Sequence, residues 1–243
     1  MTSSDAQSIV LNADQEHSGL RAGVMATVLI AFSLTFLIVN AILSGPLFEG
    51  QFVSTYAFAV TCILALLIAL AVAGAGESIM KRYWTSGRRV VLNDSSLEAT
   101  LPKGKHARID WSARVWAIRW YFSLKGYPRG GRERRLSAKH LCLACQLQQD
   151  EVKLIVYGYM KEKEAEALLN GGEFQRISPA DYYERRRLPV RQSTDRPKIP
   201  VDVLAGKDGP YWLAEQRRWS EGIELTAKDF AVFYEAVRER VEE

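Results

Sequence analysis

The chain has 243 residues, 25% of them charged, and a formal net charge of +4, a length that suits one or two domains. Those averages hide two uncharged runs of 27 residues each, 22–48 and 50–76, separated only by Glu49. As a helix each run is roughly 40 Å long, more than the ~30 Å hydrocarbon core of a bilayer requires, which argues against a wholly soluble protein.

Residues 1–21 form an expected N-terminal tail holding Asp5, Asp14 and Glu16 against Arg21. The apolar stretch that follows is longer than the core of a secretion signal, so it reads as a retained span at about 22–44. A second span is expected at about 52–75. The connector between them carries no Lys or Arg, whereas Lys81, Arg82, Arg88 and Arg89 follow the second span. The positive-inside rule then puts both termini in the cytoplasm, with a multi-pass anchor in the inner membrane. In that reducing compartment Cys142 and Cys145 are expected to stay unpaired by disulfide.

Small residues recur every fourth position in both spans: Gly23, Thr27, Ala31 and Thr35 in the first, Ala57, Thr61, Ala65, Ala69 and Ala73 in the second. Such flat faces let two helix backbones approach closely in lipid, although Ala is common in membrane helices without that role. Neither span contains Asp, Glu, Lys, Arg or His, residues that mark ion or proton pathways. A two-helix anchor over residues 22–76 is therefore expected rather than a transporter.

Beyond the membrane the apolar period falls to two. In 115–124, Trp116, Ile118, Trp120, Phe122 and Leu124 alternate with Val115, Ala117, Arg119, Tyr121 and Ser123, which predicts a strand. Further strands are expected at 88–92, 97–100, 107–111, 141–147 and 152–157, with turns at 93–96 and 148–151. Spacings this short leave no room for crossover helices, so the sheet is expected to be antiparallel. Residues 161–169 are rich in Glu, Lys, Ala and Leu and end at Asn170-Gly171-Gly172, predicting a helix with a glycine stop.

This order of a membrane hairpin, several strands and one helix resembles bacterial integral membrane proteins that carry a pleckstrin-homology-like (PH-like) domain, the YcxB-like group. The resemblance covers about residues 22–169. It rests on Ile109-Asp110-Trp111, on the hairpin from Leu141-Cys142-Leu143-Ala144-Cys145 to Val156-Tyr157, and on Lys161-Glu162-Lys163-Glu164-Ala165-Glu166-Ala167-Leu168-Leu169. It implies a membrane-anchored α+β protein in which residues 77–172 form an antiparallel PH-like barrel or sandwich with a closing C-terminal helix. It implies no shared activity. The Arg- and Gly-rich insertion near Tyr127 and the long tail after Gly172 depart from the pattern.

Charge is divided unevenly in the part after the spans. Residues 81–139 carry a net +11 and residues 140–243 a net −3. Within the first segment the stretch 125–135 brings Arg129, Arg132, Arg134 and Arg135 together against Glu133. These arginines are the candidate contacts to an anionic lipid headgroup, while a solvated hairpin tip is the simpler alternative. Nucleic acid is a poorer match, because no recognised reading motif accompanies the charge.

Motifs of catalysis are missing from the sequence: it has no Walker loop, Gly-x-Ser-x-Gly elbow or His-Glu-x-x-His. Cys142 and Cys145 form a Cys-x-x-Cys with His140 close by, which raises thiol redox or metal chemistry. On a strand, however, residues three apart face opposite ways. No catalytic, cofactor or metal-ligating residue is assigned. The tryptophans read mainly as core and interface anchors rather than ligand stackers.

Residues 173–243 form an expected Pro-rich arm followed by helices. Pro179, Pro189, Pro197, Pro200 and Pro210 prevent one regular element. Residues 210–219 suit a short helix, and Thr226 with Asp229 can cap a last helix that gathers Phe230, Phe233, Val237 and Val241 on one side. That side needs a surface, either on the same domain or on another subunit. The sequence thus points to a nonenzymatic binding or scaffolding module at the cytoplasmic membrane surface. Membrane lipid is the expected partner, with a protein partner or second copy beside it. A thiol-dependent component and an accessory subunit of a larger membrane complex are the alternatives.

Overall fold

A computed structural model describes residues 8–14, 18–45, 56–101, 104–125, 133, 136–179 and 199–241. The chain divides into two compact units, Gln15–Ser86, and Met1–Asp14 together with Gly87–Glu243.

The first unit is a pair of helices, α1 (Ser18–Leu43) and α2 (Ala57–Tyr83). Both are long and apolar enough to cross a membrane, with mean hydropathy of 2.4 and 2.6 over their most apolar stretches. None of that stretch of α1 is buried, and only 28% of that of α2, so neither resembles the enclosed core helix of a soluble protein. Ala57, Thr61, Ala65, Ala69 and Ala73 are the buried residues of α2. On α1, Gly23, Thr27, Ala31 and Thr35 are half-buried while Leu29, Leu34, Leu37 and Ile38 are exposed. The reason is spacing: positions four apart share one side of a helix, and small side chains let the neighbouring backbone approach. A Cβ on Gly23 would lie 2.9 Å from the Trp84 ring. Phe36 and Phe58 close the pair edge to face, with ring centroids 5.7 Å apart.

The second unit holds two sheets. One is antiparallel and ordered β1 (Ile9–Asn12), β2 (Arg89–Leu92), β3 (Ser96–Thr100) and β4 (His106–Asp110). The other is centred on β5 (Trp116–Ser123), β6 (His140–Gln149) and β7 (Val152–Lys161), an antiparallel meander. Asp150 and Glu151 turn β6 into β7, with Asp150 in the left-handed region at φ 49°, where Asp is tolerated better than most residues. Helix α3 (Glu162–Leu169) follows, its start fixed by the Glu164 carboxylate accepting from the Lys161 backbone N–H at 3.0 Å. Three elements complete the end of the chain: α4 (Val201–Ala205), α5 (Gly209–Glu221) and α6 (Ala227–Arg238).

Three expectations need correction. The second sheet is mixed: β8 (Gln175–Arg176) and β9 (Ile223–Leu225) add to its two edges in parallel with β5 and β7. The helices preceding them supply the crossovers that strand spacing alone seemed to forbid, and short added strands cover edges that would otherwise stay open. The sheets are also not closed into a barrel. Where β4 gives way to β5, Gln149 bridges by its side chain instead, accepting from the Asp110 N–H at 2.9 Å and donating to its C=O at 2.8 Å. Finally, the expected domain boundaries shift at both ends. Part of the N-terminal tail is edge strand β1, and the segment after 173 supplies two strands and three helices.

Packing explains both shifts. Leu11 and Ala13 of the tail join Val90, Leu97, Ile109, Leu143, Val156, Phe230 and Phe233 in one apolar cluster. Asp14 pairs with Arg88, and its N–H donates to the Glu224 C=O at 2.8 Å. Helix α6 lays Phe230, Phe233 and Val237 into the same cluster, joined by Val241 just beyond its end, so its apolar side is covered by its own domain. Thr226 caps it by accepting from the Asp229 N–H at 3.1 Å. The helix lies so close to β7 that a Cβ on Gly158 would meet the Phe230 Cβ at 2.9 Å. The opposite face of the second sheet carries another cluster, Trp120, Phe122, Cys142, Ala144, Ile155 and Tyr157 with Trp212 and Ala214 of α5. With both faces covered, β6 and β7 are buried almost continuously over Cys142–Leu147 and Leu154–Met160.

Candidate functional site

The arginines singled out as headgroup contacts, Arg129, Arg132, Arg134 and Arg135, lie outside the described residues. What the structure does define is how their loop is rooted. Leu124, just after β5, is 1% exposed and donates its N–H to the His140 C=O at 3.1 Å, while Leu136 packs against the cluster under α5. Glu133, in the middle of the basic sequence, is completely buried.

Its burial is made tolerable by charge and hydrogen bonding. Arg218, on the inner side of α5, places one Nη 2.8 Å from Glu133 Oε1, and both Nη and Nε bond Glu215, at 2.8 and 2.7 Å. The remaining Nη donates to the Tyr159 hydroxyl at 3.1 Å. Tyr159 in turn donates to Glu133 at 3.4 Å, and the Trp120 indole N–H donates to Glu215 at 3.0 Å. The guanidinium carbon lies 4.7 Å from the Tyr157 ring centroid and 5.3 Å from that of Phe122, so aromatic faces take part in stabilising the cation. Burial pushes the Tyr159 hydroxyl well above its ordinary range, against the opposing pull of Arg218, so the phenol remains a neutral donor. This arrangement ties Glu133 to helix α5. Sequence reasoning treated Glu133 only as a partial offset to the arginines. The signal that could have found the group was the Glu215-to-Arg218 spacing on one face of a helix, but nothing local singles out Glu133.

Cys142 and Cys145 are both fully buried on β6, on opposite faces: Cys142 packs with Trp120 and Phe122, Cys145 with Leu143 and Val156. Desolvation pushes the Cys145 thiol up to about 12, despite the nearby positive charge of Arg119, the reverse of what a reactive thiolate needs. His140 is bound by its Nδ1 to the Ser137 carbonyl, 3.2 Å away. Among the described residues, no group of three or more His, Cys, Asp or Glu side chains is arranged to hold a metal ion.

No protein-family model, curated protein or solved structure matches this chain.

Proposed function

We propose that the protein is a membrane-anchored, nonenzymatic binding or scaffolding module of PH-like type, working at the cytoplasmic face of a bacterial inner membrane. The observation that carries this reading is topological: the apolar helix pair is inserted between β1 and β2, neighbouring strands of one sheet that pair from Ile9↔Leu92 to Asn12↔Arg89. Strands bonded to each other must lie on one side of a bilayer. That requires an even number of crossings between them, which the two helices supply, and the charges at Lys81, Arg82, Arg88 and Arg89 favour the cytoplasmic side. The unit is thereby tethered at two points, which suits a module that presents a surface rather than one that diffuses.

The loop bearing Arg129, Arg132, Arg134 and Arg135 is the proposed contact to anionic headgroups, each basic residue contributing roughly 1 kcal/mol near such a surface. The Glu133–Arg218 ion pair supports this by anchoring one residue of the basic sequence to packed structure. A thiol-dependent activity is disfavoured by the burial and divergence of Cys142 and Cys145. Partnership within a larger membrane complex would use the same anchor.

The test keeps the full chain, since β1 belongs to the domain. In bilayers containing phosphatidylglycerol, amide exchange across residues 125–139 should be slower than in purely zwitterionic bilayers. Salt near ~1 M, where the Debye length is about 3 Å, should abolish the difference, as should changing the four arginines to Ser. Equal exchange in the two bilayers would reject headgroup contact and leave a protein partner as the reading.

A further inference from the structure

A cleft of about 650 Å³ opens beside the first residues of β5, bounded by Arg114, Trp116 and Arg119 on one side and by Glu173, Tyr211 and Arg240 on the others. Its size falls within the ~300–1,000 Å³ of small-molecule sites and far exceeds what one inorganic ion fills. None of these residues belongs to the Glu133–Arg218 group.

The side chains divide into those committed within the protein and those turned to the opening. Arg119 is nearly buried and lies 3.6 Å from Glu173, which also accepts from the Tyr234 hydroxyl. That carboxylate is therefore engaged by the fold. Trp116 differs from its neighbours: Trp120 and Trp212 are 0% and 2% exposed and form core, whereas Trp116 is 58% exposed. An indole left in water loses the burial that justifies its size. The Arg114 guanidinium lies 4.0 Å from its ring centroid, a cation–π stack that leaves the N–H groups free to point outward in the guanidinium plane. Arg240 donates to the Ala236 C=O at 2.9 Å, and its nearest carboxylate, Asp94, is 3.8 Å away and largely exposed. With Glu239 counted, three arginines face two carboxylates in the lining. Asp94 beside Arg240 brings the carboxylates to three, so the cleft's capacity for an anion rests on the outward N–H groups of Arg114 rather than on net charge, and its aromatic surface is Trp116 and Tyr211.

We infer that this cleft binds a small planar aromatic anion, an unsaturated ring bearing a phosphate or carboxylate, of which a nucleoside monophosphate is one form. The ring stacks on the Trp116 side, and Arg114 with Arg240 takes the oxyanion through charge-assisted hydrogen bonds. The inference does not depend on the membrane reading, and its test is separate.

The experiment is saturation-transfer NMR on the full chain in micelles, with AMP, adenosine, benzoate and inorganic phosphate as probes. AMP or benzoate should show saturable transfer, and the preferred one identifies which anionic group the cleft favours. Adenosine and phosphate, each holding half of the chemistry, should bind at least about tenfold more weakly than AMP if AMP is preferred. Trp116→Ala and Arg114→Gln alter exposed side chains and should each weaken binding by about tenfold, with unfolding temperatures unchanged. Lys207→Gln, outside the cleft, should bind as the wild type does. Failure of both AMP and benzoate to bind would overturn the inference. So would phosphate binding as well as the preferred probe, or either cleft variant binding like the wild type.

Discussion

Arg218 is ringed by two carboxylates and by aromatic faces, with its side chain 1% exposed and those of Glu133 and Glu215 fully buried. In such surroundings the loss of one partner costs more than the intact group contributes, because the charges left behind cannot return to water. Arg218→Met should therefore destabilise the domain by about 3–5 kcal/mol in denaturant unfolding followed by tryptophan fluorescence. Changing Glu133 and Glu215 to Gln in the same chain should recover part of that loss; a single variant as stable as the wild type would contradict the packing described. Cys145 gives a prediction in pH. The free thiol ionises near 9.0 and the buried one at about 12, so burial favours the folded chain fully below pH 9. That contribution is lost as pH rises from 9 to 12, because only the unfolded thiol can ionise there. The stability gap between wild type and Cys145→Ala should narrow across that window, and a constant gap would show that the thiol does not ionise on unfolding.

At the scale of elements, β1 and the helix pair make opposite demands on residue size. Strand β1 brings only Leu11 inward, with Ala13 just beyond it, yet both complete the cluster under α6. Leu11→Ala should cost about 2–5 kcal/mol, as truncation of a buried Leu does elsewhere, although the residue sits only a few positions before a membrane helix. In α2 the demand is for smallness. Ala65 and Ala69 are 0% exposed whereas Leu64 is 41% exposed, so Ala65→Leu or Ala69→Leu should force the helices apart while Leu64→Ala is tolerated. Resistance of the full chain to thermal unfolding in micelles separates these outcomes, and equal tolerance of all three would remove the packing role of the small-residue face.

For the whole molecule, the pairing of β1 with β2 converts a local charge rule into a constraint on topology. A reporter fused after Glu243 should be cytoplasmic and one inserted near Gly45 external, because the strands on either side of the helix pair are bonded to each other. Protease cleavage of the C-terminal segment from outside intact cells would refute this arrangement. The same pairing determines how the soluble part can be studied. A fragment beginning at residue 81 lacks β1, and should unfold more readily than the full chain.

The sequence alone determined the features that depend on near neighbours. Uncharged length specified α1 and α2, alternation specified β5, and the Thr226–Asp229 cap with the three- and four-residue spacing of Phe230, Phe233 and Val237 specified α6, since each of these signals is carried by residues within one continuous segment. Only the tertiary structure decided that Ile9–Asn12 would leave the tail for a sheet, that β8 and β9 would run parallel to their neighbours, and that α6 would dock on its own domain. The same holds for the residues about the basic loop. Glu133 is one acid among arginines in the sequence, and its burial follows from a cation 85 positions away. A charged side chain can leave water only where the fold delivers a partner, and partners so distant in the chain are chosen by packing rather than by local pattern.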